Sequence, residues 1–218
     1  MTQFKDRRDA GKKLAKELLR YANRPDVLVL ALPRGGVPVA YEVALALNAP
    51  LDVFIVRKLG LPGQEELAIG AIASGGIRVL NDDVIRLLNI PQEVINFVAK
   101  RELQELKRRE QAYRGDRPAP QVRGRTVILI DDGLATGASM RAAVAGLRAQ
   151  GPARIVVAVP AAAREVCESF RGEVDEIVCA LTPDPFYGVG RWYEEFKQMS
   201  DEEVRTLLEE ANQQLLHR

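Results

Sequence analysis

The stretch VILIDDGLATGAS, Val127 to Ser139, decides how the rest of the chain is read. It opens on an unbroken apolar run, reaches two adjacent carboxylates at Asp131 and Asp132, and enters a turn rich in glycine and hydroxyls that leads into a helical pattern. A short apolar run without polar alternation is a strand covered on both faces, the condition met inside a parallel sheet. The same pattern recurs in both directions. Upstream, Val27 to Leu32 and Asp52 to Val56 read as buried strands with a helix, Val37 to Leu47, between them. Around and beyond the quoted stretch, strand Thr126 to Ile130, helix Ser139 to Gln150, strand Arg154 to Val159, helix Ala162 to Phe170 and strand Glu176 to Leu181 alternate. That alternation predicts an α/β fold, a doubly wound and mostly parallel sheet with right-handed crossovers. An amphipathic helix over Asp6 to Tyr21, with Ala10, Leu14, Leu18 and Tyr21 on one stripe, precedes it.

Two stretches interrupt this order. Residues 59–83 carry Gly60, Gly63, Gly70, Gly75, Gly76 and Pro62, which predicts a flexible functional loop or a β-excursion. Residues 91–115 read as an inserted charged helix, Pro91 to Arg114, in which Glu102, Glu105 and Glu110 interleave with Lys and Arg. That spacing marks a solvated face rather than a nucleic-acid surface. The expected organisation is a core over residues 1–181 and a C-terminal segment over 182–218. The latter begins TPDPFYGVGRWYEEF and closes with a helix capped near Ser200 and Asp201, with Glu203 in its acidic first turn.

Composition narrows the function classes. In 218 residues, 31 basic and 30 acidic side chains leave a net charge of +1, so no global field draws nucleic acid or an anionic membrane. With 47% hydrophobic and 28% charged residues the chain is soluble and globular in composition. No signal-like or membrane-spanning run is visible, and the expected location is cytoplasmic. Cys167 and Cys179 read as small core residues. His217 is the only histidine, which removes a histidine base, a Ser-His-Asp triad and the usual zinc sites.

Within the quoted stretch, the backbone N–H groups of Ala135, Thr136, Gly137, Ala138 and Ser139 are expected to converge at a helix N-terminus, with Thr136 and Ser139 adding hydroxyls. That is a phosphate cradle, and it lacks the lysine of a P-loop. Two carboxylates placed directly on a phosphate would repel it, so Asp131 and Asp132 need another partner. Sugar hydroxyls suit them, and ribose 5-phosphate joins a phosphate to a vicinal diol. The other reading is a receiver-type acidic pocket, although such domains hold their acidic pair near the first strand.

The stretch resembles the phosphoribosyl pyrophosphate motif of the type I phosphoribosyltransferases. ALPRGGVPVA, Ala31 to Ala40, is similar to that family's pyrophosphate loop, and VRKLGLPG, Val56 to Gly63, to its basic strand end and flexible loop. The resemblance implies a core of that family with a small hood lobe, and transfer of a 5-phosphoribosyl group from phosphoribosyl pyrophosphate to a nitrogen base. It implies Mg²⁺ carried on the substrate, with no all-protein metal cage. Asp131, Asp132, Arg57 and Lys58 become the catalytic candidates, and Arg34, Gly35, Gly36, Arg57 and Lys58 the pyrophosphate site. Arg57 and Lys58 are expected to face the same rim as Arg34, with a lid within Gly60 to Gly75. A non-proline cis peptide near Arg34 is also implied. Read alone, the Arg34 loop would be an ordinary Pro-Gly turn and Arg57 and Lys58 surface charges.

The acceptor is less marked. The 6-oxopurine enzymes carry an aspartate where this chain has Ala135, so 6-oxopurines are not expected. LATG is similar to the adenine enzymes, but the tail is not, and resembles a further branch of predicted phosphoribosyltransferases. Phe186, Tyr187 and Trp192 either stack on a planar base or pack the tail onto the core. A phosphoribosyltransferase fold kept as a nucleotide sensor is the alternative function. Expected partners are phosphoribosyl pyrophosphate and a base, with no membrane or nucleic acid; a homo-oligomer is left open.

Overall fold

Why the apolar runs become a sheet is plain from their burial. In the computed structural model, which describes residues 3–217, every residue of β1 (Val27–Ala31) and of β6 (Thr126–Ile130) is buried. In chain order the elements are α1 (Arg7–Glu17), β1, α2 (Gly36–Leu47), β2 (Leu51–Val53), β3 (Val56–Leu61), β4 (Gln64–Ala73), β5 (Ile77–Leu80), α3 (Asp82–Leu87) and α4 (Gln92–Arg114). There follow β6, α5 (Ala138–Arg148), β7 (Arg154–Ala161), α6 (Arg164–Ser169), β8 (Glu176–Leu181) and α7 (Asp201–Leu216). The main sheet is parallel, in the order β2-β1-β6-β7-β8, as the alternation predicted. The direction of strand succession across it reverses between β1 and β6. Ligands of open α/β sheets bind outside the carboxyl ends of the strands at such a switch point. The loops Leu32–Gly36 and Asp131–Gly137 lie there, one on each side.

The stripe of α1 is buried as expected, and the Asp6 side chain caps the helix by accepting from the Asp9 N–H. Gly11 lets α1 cross α2 closely, since a Cβ there would lie 2.6 Å from the Val39 carbonyl oxygen. This crossing sets Arg7, at the start of α1, against the switch point.

Residues 59–83 form the β-excursion and not a loop. β3, β4 and β5 make an antiparallel sheet of their own, with turns left between Leu61 and Gln64 and between Ala73 and Ile77. Leu59, Ile69 and Ile72 are buried within it, and the register shifts at Gly60 opposite Ala68 to Gly70, so the apolar positions do not follow a regular alternation. The strand expected over Asp52 to Val56 is accordingly split, because the chain leaves the main sheet after Val53. Helix α4 packs on this small sheet and on α7 through Ile95, Val98, Ala99, Leu106 and Tyr113. Its other face carries the solvated pairs of Glu105 with Arg108 and Arg109.

The C-terminal segment divides in two. Residues 182–199 run across the carboxyl edge of the main sheet, and α7 starts beside that edge at Asp201 and packs against α2 and α4. A capping box between Ser200 and Glu203 starts α7 where the sequence placed it. Cys167 and Cys179, read as small core residues, are joined by a disulfide, with Cys167 buried and Cys179 half-buried. The short crossover brings α6 beside the following strand β8, a proximity that spacing alone does not announce. Among the described residues no helix is long and apolar enough to cross a membrane.

Candidate functional site

Beyond the end of β6 the backbone turns through Gly133 and Gly137 before α5 starts. Gly137 has φ +80°, the left-handed conformation that glycine adopts without a Cβ penalty, and serves as the helix N-cap. The amide N–H groups of Ala135, Thr136 and Gly137 have no protein acceptor among the described residues. Thr136 and Ser139 are exposed beside them. The loop thus presents free donors at a helix N-terminus, the arrangement expected of an anion site. Arg141, which the sequence did not mark, braces it from beneath. Its Nη1 donates to the Thr136 carbonyl at 3.0 Å, while its Nε meets Glu173 at 3.0 Å and its guanidinium lies 4.6 Å from the Phe170 ring centre.

The two carboxylates stand at the β1 side of this loop. Asp131 Oδ1 accepts from the Asp132 N–H at 2.8 Å, and Asp132 Oδ2 accepts from Arg7 Nε at 2.9 Å. Among the described residues, Asp131 Oδ2 and Asp132 Oδ1 meet no protein donor, so each carboxylate keeps one oxygen for another partner. Burial, and then the neighbouring Asp132, push the Asp131 carboxyl well above the usual carboxylate range. Tyr193 donates its hydroxyl to the Asp132 carbonyl at 2.7 Å; burial and Asp132 hold that phenol well above its ordinary value.

The Arg34 loop is packed directly on this pair. The Pro33–Arg34 peptide is cis, as the resemblance implied. A Cβ on Gly35 would lie 2.1 Å from Asp132 Oδ2, and one on Gly36 would lie 2.7 Å from the Ile130 carbonyl oxygen. Both glycines therefore serve close approach of the two loops.

The expected cations do not form one cluster. Arg34 Nε pairs with Asp201 of α7 at 2.9 Å, and Tyr113 donates to the same carboxylate at 2.9 Å. Tyr113 and Asp201 together raise the Arg34 pKa. Successive residues of a strand face opposite sides, so Arg57 and Lys58 diverge. Arg57 turns to α4, where Glu102 accepts at 2.6 and 2.8 Å, and is not on the rim expected for it. Lys58 lines a cavity of about 680 Å³ between the small sheet and the start of α5, together with Ala138 and Ser139. It lies at the phosphate end, 3.3 Å from Glu66.

The aromatic tail residues separate likewise. Trp192, only 8% exposed, packs with Phe4, Ala10, Ala161 and Tyr193, and Phe186 leans on the same cluster. Tyr187 is 74% exposed at a cavity of about 750 Å³ beyond the carboxyl end of β8, lined also by Thr182, Asp184, Arg191 and an edge of Trp192.

Residues 1–178 match the family described as phosphoribosyl transferase domain. Two Mycobacterium tuberculosis proteins, from strains CDC 1551 and H37Rv and provisionally named phosphoribosyl transferases, are each 47% identical over 212 residues. The alignment covers 97% of this chain and 48% of either relative, so the chain spans about half the length of the curated relatives it matches. The crystal structure of TT1426 from Thermus thermophilus is similar throughout, with 43% identity, a TM-score of 0.84, and coverage of 95% of this chain and 98% of that one.

Proposed function

The chain belongs to the phosphoribosyl transferase family, and we propose that it moves a 5-phosphoribosyl group from phosphoribosyl pyrophosphate to a nitrogen base. The observation that carries this reading is the pair of oxygens, Asp131 Oδ2 and Asp132 Oδ1, left without a protein donor beside a loop of free N–H groups. A phosphate on the loop between Ala135 and Ser139 and a vicinal diol on the two carboxylates satisfy both halves at once. In the reaction the bond from the ribose C1 to pyrophosphate breaks and a bond from C1 to a base nitrogen forms, with positive charge developing on the ring as in glycoside chemistry. This chain's part is to hold the sugar in register and to place Asp131 and Asp132 on the ring's hydroxyl side.

Arg34, with the bare backbone of Gly35 and Gly36, is the proposed pyrophosphate contact, and Lys58 adds charge from the small sheet. Arg57 contributes through Glu102 and the seating of β3. Among the described residues no three His, Cys, Asp or Glu side chains converge as metal ligands. The site suits Mg²⁺ that arrives on the diphosphate, because such ions are held by substrate oxygens, water and one or two carboxylates. Bound there, the ion would neutralise the leaving pyrophosphate. The base is assigned to the cavity past β8, where Tyr187 offers a ring face. Ala135 supplies no carboxylate to a 6-oxopurine, whose unpaired polar atom would cost ~1–3 kcal/mol.

The test is pyrophosphate release over a panel of purines, pyrimidines and other planar nitrogen heterocycles, repeated with Asp131→Asn and Asp132→Asn. Turnover with at least one base, lost in both variants, is the expected result; efficient use of hypoxanthine would refute the Ala135 assignment. A second reading, a nucleotide sensor without turnover, draws on the occupation of Arg34 and Arg57 by protein carboxylates. Tight binding of phosphoribosyl pyrophosphate with no release of pyrophosphate for any base would favour it.

A further inference from the structure

Asp132 is held by residues from both ends of the chain. Arg7 Nε takes one carboxylate oxygen, and the Arg7 and Asp132 side chains are only 12% and 16% exposed. Arg7 is itself fixed from the tail: Nη1 donates to the Lys197 carbonyl at 2.6 Å, and the Phe196 ring lies 4.0 Å from the guanidinium carbon. Tyr193 stacks on Phe196 at 5.1 Å and donates to the Asp132 carbonyl. These tail residues lie beyond residues 1–178, the part that matches the family.

We propose that Arg7 is a positioning residue for sugar recognition, and that the strap from Tyr193 to Lys197 exists to keep it in place. Resting on the reading of Asp131 and Asp132 as the hydroxyl site, this assigns the discrimination of ribose from 2-deoxyribose to a contact outside the motif. A carboxylate turning freely about its Cβ–Cγ bond spends little time with an oxygen aimed at a given hydroxyl. With Oδ2 tied to Arg7, and packed on Gly35, Asp132 presents Oδ1 in one direction. The charge of Arg7 also offsets the repulsion between two adjacent carboxylates, so Asp132 can act as a charged acceptor. Neither effect bears on the phosphate, which sits on the loop beyond Gly133. With Asp132 assigned to the 2-hydroxyl and Asp131 to the 3-hydroxyl, loss of Arg7 should thus weaken only sugars that carry the 2-hydroxyl.

The experiment is isothermal titration of ribose 5-phosphate and 2-deoxyribose 5-phosphate into the wild type, Arg7→Met, Arg7→Lys and Tyr193→Phe. Wild type should prefer the ribose form by about tenfold, the worth of one hydrogen bond to a charged group. In Arg7→Met the preference should fall to within about twofold, with 2-deoxyribose 5-phosphate affinity unchanged. Arg7→Lys, which restores charge without the planar fork, should recover part of it. Tyr193→Phe removes only one hydroxyl, and should erode the preference even if Arg7→Met fails to fold. Equal weakening of both sugars, or an unchanged preference in Arg7→Met and Tyr193→Phe, overturns the role of Arg7 while leaving the carboxylate reading intact. Absence of any preference in the wild type overturns that reading, and this inference with it.

Discussion

Replacing Gly35 by alanine should damage the ribose side of the site through a single added methyl group. The backbone at Gly35 is right-handed helical, φ −59° and ψ −31°, so alanine fits the main chain. By unfolded-state entropy alone the change would stabilise by ~0.4–1 kcal/mol. Its Cβ, however, would stand 2.1 Å from Asp132 Oδ2 and 2.8 Å from Asp132 Cγ. Because Cγ is itself too close, turning the carboxylate about Cβ–Cγ does not relieve the overlap. The whole group has to swing away and give up its 2.9 Å contact with Arg7. An exposed pair is worth ~0.2–1 kcal/mol, and breaking a fully buried one costs ~3–5 kcal/mol. With side chains 12% and 16% exposed, and both charges able to reach water after the swing, a loss of ~1–3 kcal/mol is expected. The middles of the two ranges, about 2 and about 0.7 kcal/mol, leave about 1.3 kcal/mol of net destabilisation. At ~2–4 °C per kcal/mol for a chain of this size, Tm should fall by roughly 3–5 °C. Ribose 5-phosphate should bind about tenfold more weakly, since a charged acceptor has left its hydroxyl. Thermal denaturation and calorimetric titration measure the two effects. Gly172→Ala is the control, because a Cβ there meets nothing within 4 Å. If Gly35→Ala melted with Gly172→Ala and bound the sugar as wild type does, the packing of the two loops would not govern the site.

Three further perturbations probe other parts of the site. The raised Asp131 pKa means that the folded chain holds this proton more tightly than the unfolded one, so stability falls as pH rises from the ordinary carboxylate value to the raised one. Asp131→Asn should therefore raise Tm near neutral pH, with the gain fading as pH approaches about 4; a gain independent of pH would contradict the assigned cause. Asp201→Asn keeps an acceptor for Tyr113 but removes the anion paired with Arg34, whose side chain is 36% exposed. Pyrophosphate with Mg²⁺ should then bind about two- to fivefold more tightly, and Glu202→Gln in the same helical turn should leave it unchanged; equal affinities in all three proteins would remove Arg34 from the pyrophosphate site. Arg141→Met should weaken ribose 5-phosphate but not ribose in titrations, because it releases the Thr136 carbonyl and loosens only the phosphate loop; parallel losses would make Arg141 a general structural residue.

The parts of the fold that were legible share one physical property: their signal is local. β6 and β8 have the bounds that periodicity assigned: β6 is buried throughout and therefore continuously apolar, and β8, a half-buried edge strand, keeps an apolar run after Glu176. The carboxylates and the phosphate loop fall within one turn of each other in sequence, and the strand–turn–helix geometry brings them together without help. The small sheet was harder to see because Gly60, Gly70, Gly75 and Gly76 interrupt it and a register shift at Gly60 puts its buried Leu59, Ile69 and Ile72 out of any regular alternation. The partners of the cations were invisible for a different reason. Arg7 and Asp132 are 125 residues apart, and Arg57 and Glu102 are 45 apart. No spacing rule connects a helix start with a strand end at such separations. Even the divergence of Arg57 and Lys58 needed only strand alternation, once β3 was known to begin at Val56.

That split between local and distant parts bears on how the site works. The sugar-phosphate half is made by two short loops at the switch point, where glycine backbones pack so closely that neither Gly35 nor Gly36 admits a Cβ without movement. Such a half is rigid by construction, and suits a part of the substrate that does not vary. On the proposed reading, the acceptor half and the hold on the Asp132 side chain are built instead from Arg7, Tyr193 and the tail, which reach the sheet edge from opposite ends of the chain. Val189 packs on Gly133 of the phosphate loop, and Arg7 and Tyr193 bond to Asp132, whereas the segment before Val189 has no such contact, so acceptor preference can be altered there without disturbing phosphate recognition. On this division, exchanging residues 182–188 with those of a relative should move base preference while ribose 5-phosphate affinity stays within about threefold, because the loops proposed to read it keep their packing. Competition titrations on the exchanged chain decide the matter. A larger loss of ribose 5-phosphate affinity in a chain that still melts cooperatively would show that the tail belongs to the sugar-phosphate half as well.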